Sequence, residues 1–568
     1  MGEFIKMGYT VGSYLAKRFE QMGIGHNFIV PGDLNLVLLD ELLKNKNLEQ
    51  VGCCNELNAA YAAEGYARAK GAGAVITTFN VGAFSAVNGI AGAYAERLPV
   101  IFVSGSFNTN DPVEGHIPHH SLGIHDLNYQ YEMISKVTCD AAQIIHEKDA
   151  PYLIDRVILN SLGQRLPGYI EIPCNVADAP CSDPAPFETL FKPPVSDPKV
   201  LEAAVNGAAD AINNANKPIL LAGPNLRSYG AIGAFRKLAE TLGCAVAVQP
   251  SAKSFFPENH PQFIGIYWGS VSSPGCEELV DWADLIIAVG TVYTDYSTVG
   301  WTAQPPDGKT VNIEPNRVRF LNFDYNGLNL SDFISGLAKH VNKNDFSLIK
   351  FNQTRRNQEP IKPANPRKPL TRMEMIRQIQ NLLSPKTTLF VESGDSWFNG
   401  MFMELPENAN FEIEMQWGSI GWSVPSTFGY ALAVEPDQQV LSLIGDGSFQ
   451  FTAQEVANMI RYELDNVILF VVNNQGYVVE SEIHEGPYNY FKNWDYAGLI
   501  EVLNADDGHG LGLTASTGNE LAEAIEKAKA HRGGSVLIEC QIEHEDCSRE
   551  LLEWGTKVGT ANQRPPMH

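Results

Sequence analysis

The sequence predicts an α/β protein of three domains, each a mostly parallel sheet flanked by helices. Three observations lead there. Short apolar runs alternate with helical stretches along nearly the whole chain, the pattern of buried parallel strands joined by crossover helices. Two proline-rich stretches, Ala179 to Lys199 and Pro360 to Pro369, break that pattern and read as linkers. A chain of 568 residues, 44% of them hydrophobic, is also more than one core organises. The divisions that follow are 1–190, 191–355 and 356–568.

In the first division the strand-like runs are Phe28 to Val30, Val51 to Cys54, Ala74 to Thr78 and Val100 to Val103, with a helix over Asn58 to Lys70. The middle division offers Ile219 to Ala222, Ala245 to Val248, Leu285 to Val289 and Val311 to Ile313. The last offers Thr388 to Val391, Val440 to Ile444, Val467 to Val472 and Val536 to Glu539. Open sheets of this kind bind ligands at the carboxyl ends of their strands, so the residues just after each run are the ones to search.

A net charge of −25 repels phosphate backbones and anionic lipid, which argues against nucleic-acid and membrane-surface partners. No stretch approaches the ~20 apolar residues that span a bilayer. Met1 to Lys6 has one lysine and no long apolar run, so it reads as neither a secretory signal nor a transit peptide. Nine cysteines without a CxxC pair argue against a disulfide framework and a zinc site, and fit a cytoplasmic protein.

The sharpest motif is Gly445-Asp446-Gly447 directly after one apolar run, with a helix around Ala453 to Arg461 and then a second run ending in Asn473-Asn474. If the two strands are neighbours, about 5 Å apart, Asp446 and Asn474 share one sheet edge. A carboxylate, an amide oxygen and the backbone carbonyl of Gly476 are hard oxygen ligands, and they leave positions for water and two phosphate oxygens, as magnesium requires. Gly445 and Gly447 let the backbone approach those phosphates, and the next helix N-terminus offers free N–H groups.

Gly445-Asp446-Gly447 through Asn473-Asn474 resembles the signature of thiamine-diphosphate enzymes. Asn55-Glu56-Leu57, His119-His120, Glu392 to Trp397 and Gln416-Trp417-Gly418 resemble its 2-oxo acid decarboxylase branch, of the pyruvate decarboxylase type. Two departures are a serine at Ser393 where that branch has threonine, and Val479 where it often has isoleucine. The resemblance implies a thiamine-diphosphate-binding fold at both ends around a Rossmann-like middle domain, with the pyrimidine bound by the first division and the diphosphate by the last. It places Thr78, Asp395, Gly418, Ile420 and Ser448 against the cofactor, with Ile420 holding it bent.

Glu56 follows an apolar run and opens an alanine-rich helix, so its carboxyl group would emerge at a sheet edge, placed to hydrogen-bond the pyrimidine ring nitrogen. Asp33, His119, His120 and Glu480 resemble the family's proton-handling set. Two adjacent histidines cannot both point one way from a strand, so the pair belongs on a loop. His116 and His125 have no carboxylate or thiolate partners at compelling metal-site spacing in the sequence. The substrate walls implied by the resemblance are Tyr296, Trp397, Val479, Ile483 and Trp554.

The activity so implied is non-oxidative decarboxylation of a 2-oxo acid, pyruvate giving acetaldehyde and CO2, through a C2 carbanion and an enamine, as in fermentation. Decarboxylation of longer branched or aromatic 2-oxo acids, and carboligation as in acetolactate synthases, are the alternatives. The family arrangement pairs Glu56 of one subunit with Asp446 of another, which implies a homodimer with shared sites and a dimer of dimers.

Overall fold

Three sheets carry the chain in the computed structural model, which describes residues 8–354 and 361–564. The reading of Met1 to Lys6, the division between 355 and 356, and Pro360 lie outside the described residues. The first sheet follows a two-residue strand β1 (Tyr9–Thr10) and contains β2 (His26–Ile29), β3 (Glu49–Gly52), β4 (Gly73–Thr77), β5 (Val100–Ser106), β6 (Asp140–Gln143) and β7 (Gly168–Pro173). All five pairings are parallel, in the order β3-β2-β4-β5-β7-β6. β1 pairs antiparallel with β8 (Pro180–Cys181), tying the start of this unit to its end.

The middle sheet contains β9 (Pro218–Ala222), β10 (Ala245–Val248), β11 (Phe263–Ile266), β12 (Leu285–Val289), β13 (Thr310–Glu314), β14 (Arg317–Phe320) and β15 (Phe323–Asn326). Its order is β11-β10-β9-β12-β13-β14-β15, parallel up to β13 and antiparallel beyond. The last sheet contains β16 (Thr387–Val391), β17 (Asn410–Ile413), β18 (Gln439–Gly445), β19 (Val467–Asn473), β20 (Leu511–Ala515) and β21 (Val536–Gln541), all parallel, in the order β17-β16-β18-β19-β21-β20. Central strands such as β4, β5 and β19 are buried along their whole length, because helices cover both faces.

Numbered within each unit, the first and last sheets have the same strand order, 2-1-3-4-6-5. Both therefore reverse direction between their first and third strands, β2 and β4 in one, β16 and β18 in the other. That reversal opens a crevice at the strands' carboxyl ends.

The two copies meet through the helices that follow their second strands, Glu56–Lys70 and Ser423–Ala433. A Cβ on Gly65 would lie 2.0 Å from the Ser426 carbonyl oxygen, and one on Gly429 1.9 Å from that of Ala62. The helices thus cross backbone against backbone, which only glycine allows. Gly429→Ala should lower the melting temperature, because overpacking of this kind costs about 1–3 kcal/mol; an unchanged thermal melt would show that the crossing yields easily.

Candidate active site

In the last unit, the loops after β16, β18 and β19 enclose a cavity of about 320 Å³. Asp395, Gly418, Ile420, Gly445, Asp446, Gly447, Ser448, Asn474 and Gly476 all line it. Asp446 is almost fully buried. Its Oδ1 accepts from the Gly447 N–H (2.8 Å), and its Oδ2 from those of Asn474 (3.1 Å) and Gln475 (2.6 Å). Gln475 is left-handed (φ 67°), and that turn brings two successive N–H groups onto one oxygen. Burial pushes Asp446 up to about 6, and the three N–H donors restrain the shift.

The helix begins at Asp446 itself, running Asp446–Thr452, so the Gly447 N–H expected to be free serves the adjacent carboxylate. A Cβ on Gly447 would strike the Tyr477 ring at 2.4 Å, whereas one on Gly445 would meet nothing within 4 Å. Across the cavity Asp395 is pushed up by burial, against the opposing charge of Arg372 and a hydrogen bond from Asn399 (2.9 Å). Just before it, Glu392 accepts from the Ser393 N–H (2.8 Å) and from the Ser423 hydroxyl (2.6 Å), which fixes the turn out of β16.

The cavity narrows among Tyr296, Trp397 and Trp554, whose rings lie 4.8–6.3 Å apart. The Tyr296 carbonyl accepts from two indoles, Trp268 (2.8 Å) and Trp554 (3.1 Å), so the middle unit holds one wall in place. Val479 and the exposed Glu480 face the same space from the helix Val478–Ile483. Ile483 is not among the lining residues; it sits over Gly555 and Gly559 of the helix Arg549–Asn562, with 3.7 and 3.6 Å to their would-be Cβ positions.

The other predicted residues gather at the corresponding end of the first sheet. Asp33 Oδ2 lies 2.7 Å from His119 Nε2, and Asp33 Oδ1 lies 3.8 Å from His120 Nε2. His120 is left-handed (φ 61°) and is held by its carbonyl, which accepts from Asn80 Nδ2 at 2.7 Å. Asn80 in turn donates its N–H to Gln130. Sequence reasoning missed both residues, although Asn80 stands just past β4, where the crevice rule points. Gly32 packs against Thr78, with 2.6 Å from its would-be Cβ to Thr78 Cβ, and Gly82 leaves room for Glu56 Oε1 at 3.0 Å. His116 faces Asp111 and Glu114 instead.

None of Glu56, Thr78, Asp33, His119 and His120 lines the cavity of the last unit. Within the single chain the predicted residues thus fall into two separate groups. Each holds a buried hydroxyl without a hydrogen-bond partner, Thr78 Oγ1 in one and Ser393 Oγ in the other; Trp397 Nε1 is a third such atom.

Family models for thiamine pyrophosphate enzymes match the chain in three places. The N-terminal TPP binding domain covers residues 9–125, the central domain 205–323 and the C-terminal TPP binding domain 394–540. A probable pyruvate decarboxylase of Schizosaccharomyces pombe is 52% identical over 98% of this chain and 97% of its own length. A pyruvate decarboxylase of Neurospora crassa is 50% identical over the same shares, and pyruvate decarboxylase 1 of Arabidopsis thaliana is 42% identical over 98% and 92%. With all three models matched in order and relatives this similar over nearly their full length, the chain belongs to the thiamine pyrophosphate enzymes, within the family of the pyruvate decarboxylases.

Proposed function

We propose that this chain decarboxylates pyruvate to acetaldehyde and CO2, using thiamine diphosphate and magnesium, at sites built by two copies of the chain. The observation that carries the reading is the cavity in which Asp446, Asn474 and Gly476 converge beside a closed aromatic box. The donor set suits the cation: carboxylate, amide and carbonyl oxygens match magnesium, and a divalent charge offsets the cost of burying Asp446. Space beside Gly445 and the unpartnered Ser393 hydroxyl suit a diphosphate.

Bound thiamine diphosphate supplies the nucleophilic carbon and electron sink on which a 2-oxo acid loses CO2. The residues do the rest. Asp446, Asn474 and the Gly476 carbonyl would hold the cation. Glu56 would hydrogen-bond the pyrimidine, with Thr78, Gly418 and Ile420 as walls, while Asp395 and Ser448 would flank the diphosphate. Asp33 and His119, 2.7 Å apart, would pass a proton to the product carbon, with His120 alongside. Glu480 would face the substrate carboxylate and favour its departure as neutral CO2. Tyr296, Trp397 and Trp554 leave room for a small acid, and Val479 adds one methylene of space, worth about 1–3 kcal/mol of discrimination.

Exposed Val81, Trp417 and Phe451 border the two half-sites, which supports cover by a second copy; a dimer of dimers is our reading of the assembly. All nine cysteines are unpaired, which suits the cytoplasm. The decisive experiment strips the full-length protein of metal and cofactor and assays CO2 and aldehyde from a panel of 2-oxo acids. Acetaldehyde from pyruvate only when both thiamine diphosphate and Mg²⁺ return is the expected result. Preference for a bulkier acid would overturn the substrate, and a carboligated product without aldehyde would overturn the reaction.

A further inference from the structure

The segment Asn474–Gly476 is held from outside by a residue no motif announces. His544 lies in the loop after β21, where the Ile542 N–H donates to the Asn473 carbonyl (3.1 Å). Its Nδ1 lies 2.7 Å from the Asn474 carbonyl oxygen. A carbonyl oxygen only accepts, so Nδ1 carries the proton and the ring's orientation is fixed. The other end of the segment meets the same ring: a Cβ on Gly476 would come within 3.0 Å of His544 Cε1, and Tyr490 flanks the ring at 5.4 Å between centroids.

Between those two contacts sits Gln475, a non-glycine residue in the left-handed region. Such a conformation persists only where the surroundings over-determine it. The loop that carries His544 is itself anchored away from the segment it braces. Asp546 accepts from the Arg372 N–H at 2.7 Å, and the Ser548 hydroxyl reaches Asp395 at 3.4 Å.

We infer that His544 is a positioning residue for the metal: by holding the Asn474 carbonyl and abutting Gly476, it sets the backbone turn that presents both as ligands. The inference rests on the reading of Asp446, Asn474 and Gly476 as the magnesium site. Removing the imidazole frees the Asn474 carbonyl and lets the peptide that joins it to Gln475 rotate, so both oxygens leave their positions together. Outer partners of this kind typically set metal affinity by about 10–100-fold.

The test titrates Mg²⁺ into stripped full-length protein at saturating thiamine diphosphate and follows cofactor binding by tryptophan fluorescence and calorimetry. His544→Ala should weaken the Mg²⁺ dependence at least about tenfold. His544→Asn, whose amide N–H can replace Nδ1–H, should recover most of it. Wild-type Mg²⁺ affinity in His544→Ala would overturn the inference and leave the site reading standing. Equal weakening in both variants, matched by an equal loss of apo-protein melting temperature, would show a merely structural role and overturn it too. If the wild-type protein binds the cofactor without any divalent cation, the site reading itself fails.

Discussion

Asp446→Asn should fold normally and yet bind Mg²⁺ two to three orders of magnitude more weakly, with decarboxylation lost in step. The substitution changes one atom, and the structure shows why that atom matters. Both carboxylate oxygens of Asp446 accept backbone N–H groups, one on Oδ1 and two on Oδ2. An amide must turn its NH₂ toward one of those donors, and a buried donor left unpaired costs about 1–3 kcal/mol. The cation also loses its only formally charged ligand among the three. The unpaired donor burdens the protein with and without the cation, so it is the lost charge, worth about 3–4 kcal/mol at 1.4 kcal/mol per tenfold, that gives the expected hundredfold to thousandfold loss. Calorimetric titration of the stripped variant with Mg²⁺ and thiamine diphosphate, beside a far-ultraviolet circular dichroism spectrum, checks it. Cation affinity within a few-fold of wild type would remove Asp446 from the metal site.

Much of this was legible in the residues. Parallel strands covered on both faces are written as continuous apolar runs, so β5, β12, β18 and β19 could be placed from the sequence. The placement of the proposed ligands was legible for the same reason: two such runs end in oxygen-bearing side chains, and β18 and β19 do pair. Several edge strands escaped because nothing in them needs to be apolar, although the edge strand β3 overlaps the run read from Val51 and the buried inner strand β7 was missed. β6 reads Asp-Ala-Ala-Gln, and β15 is largely exposed. His544 and Asn80 escaped for another reason, since each acts by gripping a backbone carbonyl, a contact that imposes no spacing on the chain. Ile483 was placed in the pocket by resemblance alone. The helix that carries Glu480 has a second face, and in this structure that face meets Gly555 and Gly559.

Chains carrying Glu56→Gln and chains carrying Asp446→Asn should each be nearly inactive, and an equal mixture, dissociated and reassembled, should regain about a quarter of wild-type activity. Replacing Glu56 with glutamine would leave an N–H able to face the pyrimidine ring but remove the acidic proton, a loss of about 10²–10⁴-fold for a group of this kind. The recovery depends on how the half-sites combine. If Glu56 of one chain completes the site that holds Asp446 of another, half of the reassembled dimers are mixed. Each mixed dimer then has one site with both substitutions and one with neither. If each chain completed its own site, every site would carry one substitution and mixing would restore nothing. The fold favours the first arrangement. Within a chain, the first and last units meet through the helices Glu56–Lys70 and Ser423–Ala433, crossed so tightly at Gly65 and Gly429 that no side chain fits between them. That contact leaves the sheet ends bearing Asp33 and Asp446 as separate half-sites, each bordered by exposed apolar side chains and each short of the groups the other holds.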